Sequence, residues 1–224
     1  MKALFVTVIA ALILLSGCSA APPGYDEVKS AKDKYETLDS ARVVMEDMST
    51  GTQLMEFSFR INKKDEMEFV YSDGANMAYS DGAEFFYKTD DAENWTVIGP
   101  SDEGYVYNVY NRSYRYPYAE GRIFFLDGTS VENASVISGD GDTVVTYQYN
   151  ADRLNKNSVA ILDNVSSFSS LTAVYRINSD GYIVEFTEQG RVTDADGNES
   201  NVDIRISVYD MNSIDYIERP DISL

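Results

Sequence analysis

From Ser40 onward, apolar and polar residues alternate one by one along most of the chain, and a period of two is compatible with strands that have one greasy face and not with helices. Met55, Phe57, Phe59 and Ile61 alternate with Glu56, Ser58 and Arg60. The pattern recurs in Met67, Phe69 and Tyr71, in Phe85 and Tyr87, and in Trp95 and Val97. It returns at Val145, Tyr147 and Tyr149, at Ala173, Tyr175 and Ile177, at Tyr182, Val184 and Phe186, and at Val202, Ile204, Ile206 and Val208. Asp-Gly pairs, which favour tight hairpins because the turn needs positive φ, occur at Asp73-Gly74, Asp81-Gly82, Asp127-Gly128, Asp140-Gly141, Asp180-Gly181 and Asp196-Gly197. Most of them separate two alternating runs, so the sheet is expected to be a largely antiparallel meander. Tyr71-Ser72-Asp73-Gly74-Ala75 reappears as Tyr79-Ser80-Asp81-Gly82-Ala83, a local hairpin echo that does not continue as a repeat.

Three segments depart from this period. Tyr25, Val28, Lys32, Tyr35 and Leu38 fall at helical spacing, with Asp26 and Glu27 near the positive helix start. Residues 104–126 are dense in tyrosine, carry Arg112, Arg115 and Arg122, and are interrupted by Pro117. Between Ala151 and Asp163, Leu154, Ser158, Ile161 and Leu162 suggest a short amphipathic helix. The expected architecture is α+β: one large antiparallel sheet, a long first helix, and two helical or irregular insertions.

Composition narrows the chemistry. The 224 residues hold 18 basic and 37 acidic side chains, a net charge of −19, and no histidine. Such a surface repels a phosphate backbone, which excludes nucleic acid as a partner. Without histidine, serine triads, cysteine-histidine dyads and two-histidine zinc sites are impossible. No spacing singles out a carboxylate pair for glycoside hydrolysis. The acidic stretches Asp194-Ala195-Asp196-Gly197-Asn198-Glu199 and Gly139-Asp140-Gly141-Asp142 lack the ligand spacing of a calcium loop and read as ordinary turns. No catalytic residue, metal or cofactor is expected, and the protein is read as a binder and not an enzyme.

The N-terminus carries an export signal: Lys2, then an apolar run from Ala3 to Leu15 that is too short for a comfortable membrane span. Its end, Leu15-Ser16-Gly17-Cys18, resembles the bacterial lipoprotein signal residue by residue. That resemblance implies cleavage before Cys18 and a diacylglycerol on its sulfur. Cys18 is the only cysteine of the chain, so it has no intrachain disulfide partner. Residues 1–17 are thus read as the signal, 18–24 as a short lipidated tether with Pro22 and Pro23, and 25–224 as one domain. Loss of Lys2 makes the mature charge 17 − 37 = −20. The expected location is the outer face of the cell membrane, and the expected state a monomer.

The apolar strand faces hold more aromatic and methionine bulk than a hairpin sheet requires. Met55, Phe57, Phe59, Met67, Phe69, Tyr71, Tyr87 and Trp95 are candidate lining for an irregular hydrophobic ligand, and the same residues serve equally as plain core. The tyrosine-rich segment with Arg112 and Arg115 suits either a head group or a stretch packed on the sheet.

Resemblance adds to this reading. Asp81-Gly82 followed by Phe85-Phe86-Tyr87 and Trp95 resembles a turn-then-aromatic-strand passage of the LolA-like half-barrel proteins, which include LppX- and LprG-type lipoproteins. Met211-Asn212-Ser213-Ile214 and Ile217-Glu218-Arg219-Pro220 are similar to the ends of the LprG-type chains. The likeness implies a curled half-barrel whose concave face, covered by the first helix and the helical insertions, encloses acyl chains of a lipid, glycolipid or lipoprotein. The other function left open is a surface module with a filled core that binds a protein or a polysaccharide.

Overall fold

The computed structural model describes residues 21–64, 66–99, 124–157 and 165–222. Cys18, the tyrosine-rich stretch up to residue 123 and the second half of the expected 151–163 helix lie outside the described residues.

Helix α1 spans Tyr25–Tyr35, with Asp26 and Glu27 in its first turn and Lys32 and Lys34 in its last, both favourable to the helix dipole. It buries Val28, Ala31 and Tyr35. Leu38 lies past the helix end but joins the same core. Eleven strands follow: β1 (Ser40–Asp47), β2 (Thr52–Ile61), β3 (Met67–Ser72), β4 (Asn76–Asp81), β5 (Phe85–Thr89), β6 (Thr96–Ile98), β7 (Val131–Gly139), β8 (Asp142–Tyr149), β9 (Val165–Ile177), β10 (Ile183–Asp194) and β11 (Glu199–Tyr209). A seven-residue helix, α2 (Ala151–Asn157), sits between β8 and β9. Asn150 caps it by accepting from the Arg153 amide at 3.0 Å, and Asn155 clasps both backbone groups of Phe168 at 2.7 and 2.9 Å.

All strands join one antiparallel sheet in the order β6-β5-β4-β3-β2-β1-β11-β10-β9-β8-β7. Sequence neighbours are spatial neighbours throughout, except that β1 meets β11 in the middle and the two edges, β6 and β7, are consecutive in sequence. Alternating direction around this order leaves β6 and β7 pointing the same way. They cannot be joined by a two-residue hairpin.

The sheet is curled and not closed, a half-barrel of α+β class. Register shifts bend it between Met45 and Glu46 on β1 and at three places along β10, between Ile183 and Glu185, Arg191 and Val192, and Thr193 and Asp194. Gly190 adds a further bend: a Cβ there would run into the Ser170 carbonyl and lie 3.1 Å from the Leu171 Cα. At the β7–β8 hairpin, Asp140 and Gly141 both take positive φ, 52° and 91°, which is what a two-residue turn between right-twisted strands requires.

The two faces differ as the alternation requires. On the concave face, cross-strand partners such as Val43 with Phe57, Phe59 with Phe69, Phe186 with Tyr175 and Val145 with Tyr175 build a single apolar core with α1 upon it. On the convex face, register partners are oppositely charged: Glu46 with Arg205 (2.7 Å), Arg60 with Glu68 (2.6 Å) and Arg176 with Glu185 (3.8 Å). Each such exposed pair contributes only about 0.2–1 kcal/mol, but together they match one register and penalise a slip.

The C-terminal strap, residues 210–222, crosses the convex face. Ser40 receives the amides of Asn212 (2.8 Å, at its carbonyl) and Ile214 (3.1 Å, at its Oγ), and Arg60 donates to the Asp215 carbonyl. The strap ends over β4–β6, where Ile217 and Ile222 cover Tyr79, Phe86 and Trp95, and the Trp95 Nε1 donates to the Asp221 carbonyl at 3.2 Å.

Candidate functional site

Strands β2 and β3 bring six of the expected lining residues together. Met55, Phe57, Phe59, Met67, Phe69 and Tyr71 point to the concave side and belong to one cluster. Phe57 stacks on Phe59 with centroids 5.5 Å apart and meets Phe69 at 5.9 Å, and Phe69 meets Phe85 at 6.0 Å. Tyr35 of α1 covers Phe59 edge-on at 6.4 Å. Tyr71 lies at the rim, where its hydroxyl donates to Asp73 at 3.1 Å.

The other two candidates fall elsewhere. Tyr87 is exposed near the β6 edge, stacked on Phe85 at 6.2 Å. Trp95 lies just before β6 and belongs to the convex cluster under the strap. The reason is that Phe85 and Phe86 are both buried, one on each face. Alternation alone assigns Phe86 to solvent because it cannot see the strap that covers it.

Strands β8–β10 make the other half of the concave face, and there the lining is not purely apolar. Glu188 is the inward residue of β10 between Phe186 and Gly190, opposite Ala173 on β9 and Ile204 on β11. Burial pushes its carboxyl up to about 7, with Lys32 of α1 opposing the shift. Glu188 nevertheless keeps part of its surface accessible.

Tyrosine hydroxyls surround it. Tyr175 donates to the Phe125 carbonyl, and Tyr147 donates to the Pro23 carbonyl at 3.1 Å. Pro23 of the expected tether is thereby held against the sheet. The Tyr149 hydroxyl is buried and closes no hydrogen bond; the Tyr175 hydroxyl and the Asp127 backbone are its polar neighbours. Burial raises all three phenols above their ordinary value, so they are neutral donors at physiological pH.

The end of the middle connection closes over this region. Phe124 packs edge-on against Tyr35 at 5.1 Å and against Phe186 at 5.7 Å, and Phe125 packs on Tyr149 at 5.2 Å. Lys32 donates to the Phe124 carbonyl. The cover is thus fixed by ring contacts and by two side-chain bonds to backbone carbonyls, from Lys32 and Tyr175.

Sequence reasoning passed over Glu188, Tyr149, Tyr175 and Lys32 as a group. One signal was readable: Glu188 interrupts the apolar phase of β10 two residues after Phe186. The acidic turns behave as turns. Both Asp194 carboxylate oxygens accept from Asn198, at 2.8 and 2.9 Å, and one of them also accepts the Asp196 amide at 2.9 Å. Among the described residues no group of three or more acidic or cysteine side chains is placed to hold a metal ion, and no helix is long and apolar enough to cross a membrane.

No family model and no curated protein sequence matches the chain. Among solved structures it is similar to LprF from Mycobacterium bovis, at 11% identity and a TM-score of 0.47, over 90% of this chain and 99% of that one. It is also similar to a chain in the MucA/MucB complex of Pseudomonas aeruginosa, at 9% identity and a TM-score of 0.33, over 84% of this chain and 55% of that one.

Proposed function

We propose that this protein is a lipoprotein held on the outer face of the cell membrane through Cys18, and that its half-barrel takes a hydrophobic ligand against the concave face. The observation that carries the reading is the nature of the cover. The eleven residues of α1 reach about 16 Å, while eleven strands span about 48 Å of sheet. Next to the helix the aromatic floor is covered by Phe124 and Phe125, which are held without a strand ladder. Among the described residues, displacing that short stretch breaks the bonds from Lys32 and Tyr175 to its carbonyls and exposes Tyr35, Phe186 and Tyr149 without unzipping a described strand. Acyl chains could then lie along Phe57, Phe59 and Phe69, with Met55 and Met67 adapting to their shape.

The second reading, a filled core that serves only as scaffold for a surface binding a protein or a polysaccharide, is favoured by one observation: Phe57, Phe59, Met67 and Phe69 are 0% exposed. Native and denaturing mass spectra of the exported Cys18→Ser chain separate the two. Stoichiometric lipid, recovered by solvent extraction, supports the carrier. A bare mass together with no uptake of a fluorescent lipid supports the filled scaffold. Phe57→Ala with Phe59→Ala should reduce lipid uptake more than stability if those rings line the ligand.

A further inference from the structure

Residues 22–24, which lead into α1, are held against one edge of the sheet. Tyr147 of β8 donates to the Pro23 carbonyl at 3.1 Å, and the Tyr25 amide donates to the Pro22 carbonyl at 3.1 Å. Gly24 lies so close to β7 and β8 that a Cβ on it would stand 2.9 Å from Val136 and 2.8 Å from Val145. Cys18 precedes Pro22 by four residues, and four extended residues reach about 14 Å. A lipid on its sulfur would therefore bring the bilayer to this end of the molecule, while β6 lies at the far end of the strand order. Two surfaces flank the tether there. The first turn of α1 presents exposed Asp26 and Glu27. Edge strand β7 is different in kind: Glu132 is its single charged residue, in a chain of net charge −19. Val136 is 41% exposed and Ile137 66%. They lie on opposite faces of the strand, across from Val145 and Val144. Exposed edges are ordinarily guarded by lysine, proline or short length, and β7 has none of these.

We propose that β7 is the surface this protein lays on its own bilayer, so that the anchored half-barrel stands edge-down with Val136 and Ile137 seated among the lipid headgroups. This rests on the reading of Cys18 as a lipid anchor. The contact is shallow, because Asp140 follows β7 directly at the hairpin turn and keeps its charge at the water boundary; Asp142, beyond it, is paired with Arg176 at 3.5 Å. The charged pairs of the convex face stay in water in this attitude, which suits a body that anionic lipid would repel. The same attitude sets the way in for a ligand. Phe125 packs on Tyr149, two residues along β8 from the tyrosine that holds Pro23. The Phe124–Phe125 cover thus lies at the membrane end of the concave face and not at β6.

The test uses the full lipidated chain in phosphatidylcholine vesicles. With the Cys18 sulfur capped by lipid, a cysteine introduced by Ile137→Cys or, toward the other edge, by Met77→Cys takes an environment-sensitive dye. Both side chains are exposed, so neither change disturbs the core. Phosphatidylcholine brominated about 5–10 Å below the headgroups should quench the dye at position 137 about threefold more than at position 77, with a blue-shifted emission at 137. Equal quenching at the two positions, on chains that float with the vesicles, overturns the edge-down contact and leaves the anchor standing. A dye at 137 that is shielded from water but not quenched by bromine, with energy transfer between labelled copies, gives the edge to a second copy of the chain and also overturns it. A wild-type chain that does not float with the vesicles overturns both the contact and the anchor.

Discussion

The carbonyl oxygen of Ser170 on β9 fills the place where a side chain on Gly190 of β10 would begin. The two strands approach that closely because β10 bulges just beyond, between Arg191 and Val192, and the bulge with the bare glycine lets the half-barrel turn its corner. Gly190→Ala should therefore force the strands apart and destabilise the protein by about 2–4 kcal/mol, far more than an alanine on an exposed strand position. Urea denaturation followed by circular dichroism measures this, and a loss below about 0.5 kcal/mol would remove the glycine from the account of curvature.

The hairpin turns were legible in the sequence and this corner was not, because a bulge and a bare glycine inside a strand leave the alternation unchanged on either side. Asp73-Gly74, Asp81-Gly82, Asp140-Gly141, Asp180-Gly181 and Asp196-Gly197 each lie between consecutive hairpin strands with the glycine at positive φ, as the sequence leads one to expect. Asp127-Gly128 does not; it belongs to the end of the long connection. Strands β1 and β7 gave no clean period, because β1 sits in mid-sheet with both Val43 and Val44 buried and β7 is an edge with little to bury. The site was half legible. Period two identifies a greasy face, but Lys32 is more than a hundred residues from both Tyr149 and Glu188 and reaches that region only because α1 lies on the β9–β10 part of the sheet, while Tyr149 and Glu188 come near each other across β9.

Trp95 is the only tryptophan, so the strap that covers it can be followed by fluorescence. Removing residues 216–224 takes away Ile217, Ile222 and the Asp221 carbonyl, and exposes Tyr79, Phe86 and Trp95 on the convex face. The expected outcome is a red-shifted emission and a loss of about 2–4 kcal/mol, from partial exposure of three rings and one lost hydrogen bond. Emission unchanged from wild type would mean that the strap contributes no burial there.

Glu188 predicts a pH dependence whose sign can be worked out. Its folded value, about 7, lies above the ordinary 4.5, so between those values the native state binds more protons than the unfolded chain. Stability on this account falls as pH rises from about 4.5 to 7 and is flat above. Asp47, hydrogen-bonded by Ser49, and Asp194, hydrogen-bonded by Asn198, are held below 3.8. They contribute stability above that value which is lost as pH falls through their lowered range. The wild type should thus be most stable near pH 5. Glu188→Gln should gain about 1–3 kcal/mol at pH 8 and lose the slope between pH 5 and 7, measured by melting temperature across that range. A wild-type profile flat from pH 5 to 8 would place the carboxyl in water.

Tyr175 and Lys32 hold the ends of the cover through the Phe125 and Phe124 carbonyls. Tyr175→Phe keeps the ring contacts with Phe186 at 4.9 Å and Tyr147 at 5.8 Å but leaves a buried carbonyl unpaired. The global loss should be about 1–2 kcal/mol, and the local effect larger. Because residues 124–129 pair with no strand among the described residues before β7 begins, their amides should exchange with solvent faster while those of β8–β10 stay protected. Lys32→Met should act the same way at Phe124, and by removing a cation from beside Glu188 it should shift the pH dependence of melting upward. Hydrogen exchange read by mass spectrometry resolves these regions separately. Uniform loss of protection across β8–β10 in both variants would mean that the cover opens only with global unfolding, which favours a core that never admits a ligand.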